Sequence, residues 1–176
     1  MESVYDTIRS TLHVPSVHLY RKKFLVNQNK IEIPSEIEQE VFEDSLIYLI
    51  TFRKKYQVWV RKRVYESGTI IYSYCERKIA KMESERLQLT RQISKSVYES
   101  YFKQKNPNLK NIKKKITSFI WNNHVYHLET FIIDENQSSF LRVSSNDEKV
   151  EIPPFFENLE DVSENPKYFT IRMAHI

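Results

Sequence analysis

A chain of 176 residues has room for one ordinary domain with a real core and too little for two comfortable ones. Its 27 Lys and Arg against 23 Asp and Glu give a formal net charge of +4, an excess that permits nucleic acid, phospholipid or nucleotide partners and singles out none of them. A single cysteine, Cys75, excludes an internal disulfide and a cysteine zinc cluster and points to a reducing, cytoplasmic setting. A single glycine, Gly68, excludes a glycine-rich phosphate loop and the dinucleotide fingerprint, so any phosphate must be held by side chains. The opening Met1 to Asp6 has neither a basic region nor an apolar run, and no apolar stretch approaches the ~20 residues that cross a bilayer, so no transmembrane segment is expected.

In chain order, Val4, Ile8 and Leu12 at four-residue spacing predict a short amphipathic helix that Pro15 ends, which makes 1–16 a docking segment ahead of the main domain, 17–176. Val17 to Val26 reads as a strand, Glu36 to Phe42 as a short helical or irregular connection, and Ser45 to Phe52 as a strand covered on both faces. Tyr56 to Glu66 and Thr69 to Ala80 flank Ser67-Gly68, where the glycine supplies the positive φ of a tight hairpin. After a charged stretch from Lys81 to Arg86, Ser94 caps a helix running to Gln104, ended by Asn106-Pro107-Asn108. Asn111 to Trp121 and His124 to Ile133 form a second hairpin about Asn122-Asn123, followed by a strand from Ser139 to Ser145. Phe155, Phe156, Leu159 and Val162 are expected to pack on the sheet as a helical turn, before Tyr168 to Ile176 closes the chain. About eight strands in hairpins with few helices predict a mainly β, α+β fold, an antiparallel tunnel or barrel.

Within the first hairpin, alternation puts Trp59, Arg61 and Arg63 on one strand face and Val58, Val60, Lys62 and Val64 on the other. Two arginines on a covered face cost several kcal/mol per ion unless partners compensate, which suggests a wet groove whose occupant is an anion. The plainer alternative is a solvated strand face. Lys113-Lys114-Lys115 places two lysines outside whenever one is inside, so most of that run is solvent or partner surface. His124 and His127, three apart on a strand, face opposite ways, and with His13, His18 and His175 they read as structural. Cys75 reads as a small buried residue, and the eleven tyrosines and ten phenylalanines are too dispersed for a nucleic-acid-binding sheet, so nucleic acid is not the expected partner.

Three ordered segments carry a resemblance: Val60-Arg61-Lys62-Arg63 to Glu76-Arg77-Lys78, Arg91-Gln92-Ile93-Ser94 to Asn106-Pro107, and Ile112-Lys113-Lys114-Lys115 to Trp121. Together with Val150 to Glu157 and Asn165 to Tyr168, they resemble the CYTH or triphosphate tunnel superfamily, more narrowly the C-terminal domain of the TRPL translocation-defect GTP-binding proteins. The resemblance runs from about Val17 to the C-terminus. It implies an eight-stranded tunnel whose cations grip a triphosphate and whose carboxylates hold a divalent metal. Arg61, Arg63, Arg77 and Lys114 match basic tunnel positions, Glu129 matches an acidic one that could be a metal-binding remnant, and Lys23 keeps the lysine of the opening Glu-x-Glu-x-Lys signature. The two glutamates of that signature fall on Leu19 and Arg21, a tunnel arginine falls on Ile116, and further acidic positions fall on His127, Arg142 and Ser144.

These departures remove the seat for Mg2+ that triphosphate hydrolysis requires, while arginine and lysine can grip phosphate without metal. The expectation is therefore a non-catalytic tunnel without a metal cofactor, holding a nucleotide, polyphosphate or phosphoinositide headgroup on Lys23, Arg61, Arg63, Arg77 and Lys114. The alternatives are a structural subunit whose tunnel is empty or self-plugged, joined to a larger assembly or a separate NTPase, and a triphosphatase that rebuilds its metal site from Glu76 or Glu151.

Overall fold

The structure, a computed structural model, describes residues 20–27, 31–79, 88–133, 136–145 and 149–175. The expected docking segment 1–16, the first residues of the opening strand and the charged stretch 81–86 lie outside them. The strands are β1 (Tyr20–Val26), β2 (Gln39–Tyr48), β3 (Tyr56–Tyr65), β4 (Ile70–Lys78), β5 (Gln88–Ile93), β6 (Ile112–Trp121), β7 (His124–Ile133), β8 (Asn136–Ser145) and β9 (Leu159–Asp161). Helix α1 (Lys95–Ser100) continues into a 3-10 turn, Tyr101–Gln104, and α2 (Thr170–Met173) follows another, Pro166–Tyr168.

All strands join one antiparallel sheet in the order β5-β4-β3-β2-β6-β7-β8-β1-β9. The sheet curls so that residues of β3 and β4 meet residues of β7 and β8 around one cavity. The mainly β tunnel architecture is therefore present, with nine strands among the described residues, the edge strand β5 and the three-residue β9 joining those the sequence marks.

Turn chemistry fixes the two long hairpins. Gly68 takes φ +84° in the longer connection between β3 and β4, where its N–H donates to the Tyr65 carbonyl, and Asn122 and Asn123 take φ +44° and +58°, the pair of left-handed values that the two-residue loop between β6 and β7 needs. Ser94 caps α1 by accepting from the Val97 N–H at 3.3 Å.

Four predicted elements differ. The strand expected over Ser45 to Phe52 with both faces covered ends at Tyr48, and the residues after it turn into a loop that leaves Phe52 exposed. Residues 39–42, expected as a connection, belong to β2, because Phe42 faces inward and packs on Tyr65 with ring centroids 5.4 Å apart. β5 was not expected as a strand; it is a sheet edge with half-exposed or exposed residues throughout, and so lacks apolar alternation. The tail packs through turns and β9 in place of the expected helical turn.

Packing differs along the sheet. The convex face of β2 and β3 buries Ile47, Val58 and Val60 under Tyr98 of α1, while the convex face of β6, β7 and β8 buries Phe119, Tyr126 and Leu141 under Phe156. The concave face is apolar at one end, where Tyr48, Trp59, Ile112, Phe131 and Phe140 pack against Val162, Tyr168, Ile171 and Ala174 of the tail. Beyond that plug the concave side chains become charged. No helix of the described residues is long and apolar enough to cross a membrane.

Candidate functional site

The sheet register assembles the charged region. Asp44 of β2 stands opposite Arg63 of β3 on one side and opposite Lys114 of β6 on the other. His127 of β7 stands opposite Arg142 of β8, which in turn stands opposite Lys23 of β1. A cavity of about 230 Å³ follows, faced by Arg61, Arg63, Arg77, Lys114 and Arg142, with Asp44, Glu129 and His127 between them and Phe42 and Ile116 as apolar wall.

Two carboxylates organise the cations. Asp44 is 2% exposed and accepts two parallel bonds from Arg63, Nε to Oδ1 at 2.7 Å and Nη2 to Oδ2 at 2.8 Å, the bidentate geometry that best compensates a buried pair. Burial opposes the Arg63 charge, but the hydrogen bonds and attraction of Asp44 hold its pKa above the ordinary arginine value. Glu129, 3% exposed, accepts on Oε1 from Lys114 Nζ at 2.8 Å and from Arg142 Nη1 at 2.9 Å. Burial by itself would raise the Glu129 pKa; the nearby Arg142 and Lys114 charges prevail and keep it well below the usual carboxylate range. Burial pulls Lys114 below the ordinary lysine value, against the attraction of Glu129. His127 is likewise lowered, first by burial and then by Arg142, so it stands in the cavity as a neutral ring.

Arg61 is the inward arginine least committed to protein partners. Its Nη1 lies 4.0 Å from Asp44, its Nη2 reaches Ser73 Oγ at 3.4 Å, and its buried Nε has no hydrogen-bond partner among the described residues. Arg77 donates from Nη2 to Gln88 Oε1 at 2.7 Å and stacks over Trp59 at 5.3 Å.

No protein-family model matches the sequence, and no curated protein matches it. Solved structures do. Two crystal structures of NE1496, one described as a hypothetical protein and one as an inorganic triphosphatase, each match with a TM-score of 0.57 at 19% identity, over 89% of this chain and 97% or 93% of theirs. HpAC1 from Hippeastrum, described by a dominant triphosphatase activity, matches with a TM-score of 0.51 at 7% identity, over 73% of this chain and 80% of its own. The chain shares the fold of these two proteins. At such identities the likeness speaks for the fold, and the chemistry must come from the residues in the tunnel.

The tunnel brings together Arg61, Arg63, Arg77, Lys114 and Glu129 of the sequence-predicted set. Lys114 alone of its lysine run is buried, with Lys113 and Lys115 exposed. Lys23 is placed differently. It lies in an adjoining cleft of about 40 Å³ with Arg21 and Lys22, a cleft that shares Arg77, Arg142 and Thr170 with the tunnel. Its Nζ donates to the Tyr168 carbonyl and sits 4.1 Å from the Phe140 ring centre. Leu19 is outside the described residues, Ser144 is exposed, and Ile116, His127 and Arg142 all line the tunnel.

Sequence reasoning missed Asp44, whose signal is its alternation with Phe42, Leu46 and Tyr48, the same pattern that revealed Arg61 and Arg63. It counted Arg142 only as a lost acid, although it binds Glu129, and it treated His127 as structural, although it faces the tunnel. His124, facing outward, does hold structure: its ring nitrogens lie 2.8 Å from the Asn122 carbonyl and 3.1 Å from Ser145 Oγ. Cys75 is buried, and burial raises its thiol pKa, which suits packing rather than nucleophilic attack.

Proposed function

We propose that this tunnel binds a phosphorylated ligand, a nucleotide, polyphosphate or phosphoinositide headgroup, without hydrolysing it. The observation that carries the reading is the charge balance of the lining: five cations, Arg61, Arg63, Arg77, Lys114 and Arg142, against two carboxylates, Asp44 and Glu129. A surplus of positive charge in a partly dry, concave site favours a multiply charged anion, and arginine forks match phosphate oxygens without a metal. That NE1496 is an inorganic triphosphatase and HpAC1 has a dominant triphosphatase activity supports a phosphorylated occupant for a tunnel of this fold.

A divalent ion fits this lining poorly. Mg2+ needs oxygen ligands left free for it. Asp44 gives both oxygens to Arg63, and Glu129 gives Oε1 to two cations, which leaves the buried Glu129 Oε2, without a hydrogen bond among the described residues, as a lone carboxylate oxygen where a divalent ion needs several ligands. Among the described residues no group of three His, Cys, Asp or Glu converges as a metal site. Glu76, a candidate for rebuilding one, is bound by Arg53, and Glu151 accepts from Asn122 Nδ2 at 2.7 Å.

Calorimetry with tripolyphosphate, GTP and inositol phosphates, with and without Mg2+, tests the proposal. Binding is expected to be independent of metal, with no phosphate released. Arg61→Ala, which breaks little of the internal pairing, should weaken binding by about 2 kcal/mol, roughly thirtyfold. Metal-dependent turnover, or unchanged affinity in Arg61→Ala, would overturn the reading.

One observation favours a second reading, a scaffold whose tunnel is self-plugged: the tail brings Thr170 against the tunnel and its Tyr168 carbonyl onto Lys23. Absence of any binding in the same titrations selects it. The narrower likeness to the TRPL proteins, a reducing cytoplasmic setting and a separate P-loop NTPase as partner belong to this proposal, and affinity capture with mass spectrometry checks the partner.

A further inference from the structure

The β2–β3 loop carries Ile50-Thr51-Phe52-Arg53-Lys54-Lys55 across one end of the sheet, and its largest apolar side chain is its most exposed, with Phe52 at 97%. Backbone hydrogen bonds define what stands beside it. The Ile50 N–H donates to the Gln104 carbonyl at 2.8 Å, and Leu49 bridges Lys105, which sets the turn bearing Phe102 and Lys103 against the loop. On the other side the Ile79 N–H donates to the Lys55 carbonyl at 2.8 Å and brings up the exposed end of β4. Ile50, Phe102 and Ile79 are each about half exposed, so four large apolar side chains gather at this end of the molecule.

Around them stand Lys54, Lys55, Lys78, Lys103 and Lys105, all exposed. The arginine of the group, Arg53, is bound to Glu76 and lies over Tyr56. Leaving a phenylalanine in water forgoes the gain of burial, and an apolar cluster rimmed by charge is the usual mark of a docking surface.

We propose that this end docks on a membrane surface containing anionic lipid, with Phe52 and Ile50 entering the boundary between headgroups and acyl chains and the five lysines meeting the negative surface. Charge complementarity selects the occupant. Lysine is a hydrated point charge on a flexible stem, suited to a diffuse negative plane, whereas matched point contacts to a protein or nucleic acid favour arginine forks. A nucleic acid would also leave Ile50, Phe52 and Ile79 without a partner. The proposal does not depend on what the tunnel binds.

The test is sedimentation of the full chain with phosphatidylcholine vesicles, with and without phosphatidylserine. Co-sedimentation is expected only with phosphatidylserine, weakened by added salt and reduced about tenfold or more by Phe52→Glu or by Lys54→Glu with Lys55→Glu. These exposed positions bear no core packing, and unchanged melting temperatures confirm that the variants are folded. In Phe52→Trp, indole emission should move to shorter wavelength on addition of the anionic vesicles. A chain that stays in the supernatant, that binds neutral vesicles equally well, or that binds undiminished as Phe52→Glu overturns the proposal, as does capture by an acidic polypeptide in place of vesicles.

Discussion

Asp44 sets how much of the tunnel's positive charge is available to a guest. It neutralises Arg63 through two hydrogen bonds and lies within 4.0 Å of Arg61, so it stabilises the fold and competes with an incoming phosphate at once. Asp44→Asn keeps the volume and removes the charge. It should cost about 3 kcal/mol of stability, because Arg63 is left without its counterion. Affinity for tripolyphosphate should rise about tenfold as the arginines are released. Urea denaturation and calorimetry on the same sample read the two effects, and a parallel loss of both would remove the competition. At this scale the sequence was half legible. Arg61 and Arg63 stand out because small apolar residues frame them in strict alternation, whereas Asp44 sits in a segment whose flanking Glu40 and Glu43 make it look like solvated connection. Arg142 and His127 acquire meaning only through the register that sets them opposite each other and beside Glu129.

Among the elements, the hairpins were legible because their turns are written in residue types that tolerate positive φ. Gly68 offers a clean measure of that requirement. A Cβ built there meets nothing within 4 Å, so Gly68→Ala should destabilise by about 1 kcal/mol through backbone conformation alone. A lower urea midpoint with unchanged ligand affinity is the expected result, and an unaltered midpoint would mean that the turn relaxes to another type. β5 and β9 were not legible, for a different reason. A strand at a sheet edge, or one of three residues, needs no apolar periodicity of its own, and its existence depends on partners distant in sequence. The tail is similar: its aromatics announce burial, but only the folded sheet decides that Phe156 goes to the convex face and Tyr168 to the concave one.

For the molecule as a whole, the buried ionisable groups make stability depend on acidity. His127 is held below its ordinary pKa of 6.5 and Glu129 below its ordinary 4.5, so at falling pH the unfolded chain takes up protons that the folded one refuses. Stability should therefore be full above about pH 6.5, decline as pH falls below that through His127, and decline again below about 4.5 through Glu129. Urea midpoints across this range should show both stages, and His127→Asn should flatten the upper one alone. A flat profile between neutrality and pH 5 would mean that His127 is solvated.

The position of β1 between β8 and β9 has a consequence for biosynthesis. Its two neighbours are synthesised after β2 to β7, so β1 waits without these hydrogen-bond partners while β2 to β7 can already pair. Through that interval the nascent chain carries an open strand edge and an unplugged apolar floor, the kind of surface that chaperones bind and that drives aggregation when they are scarce.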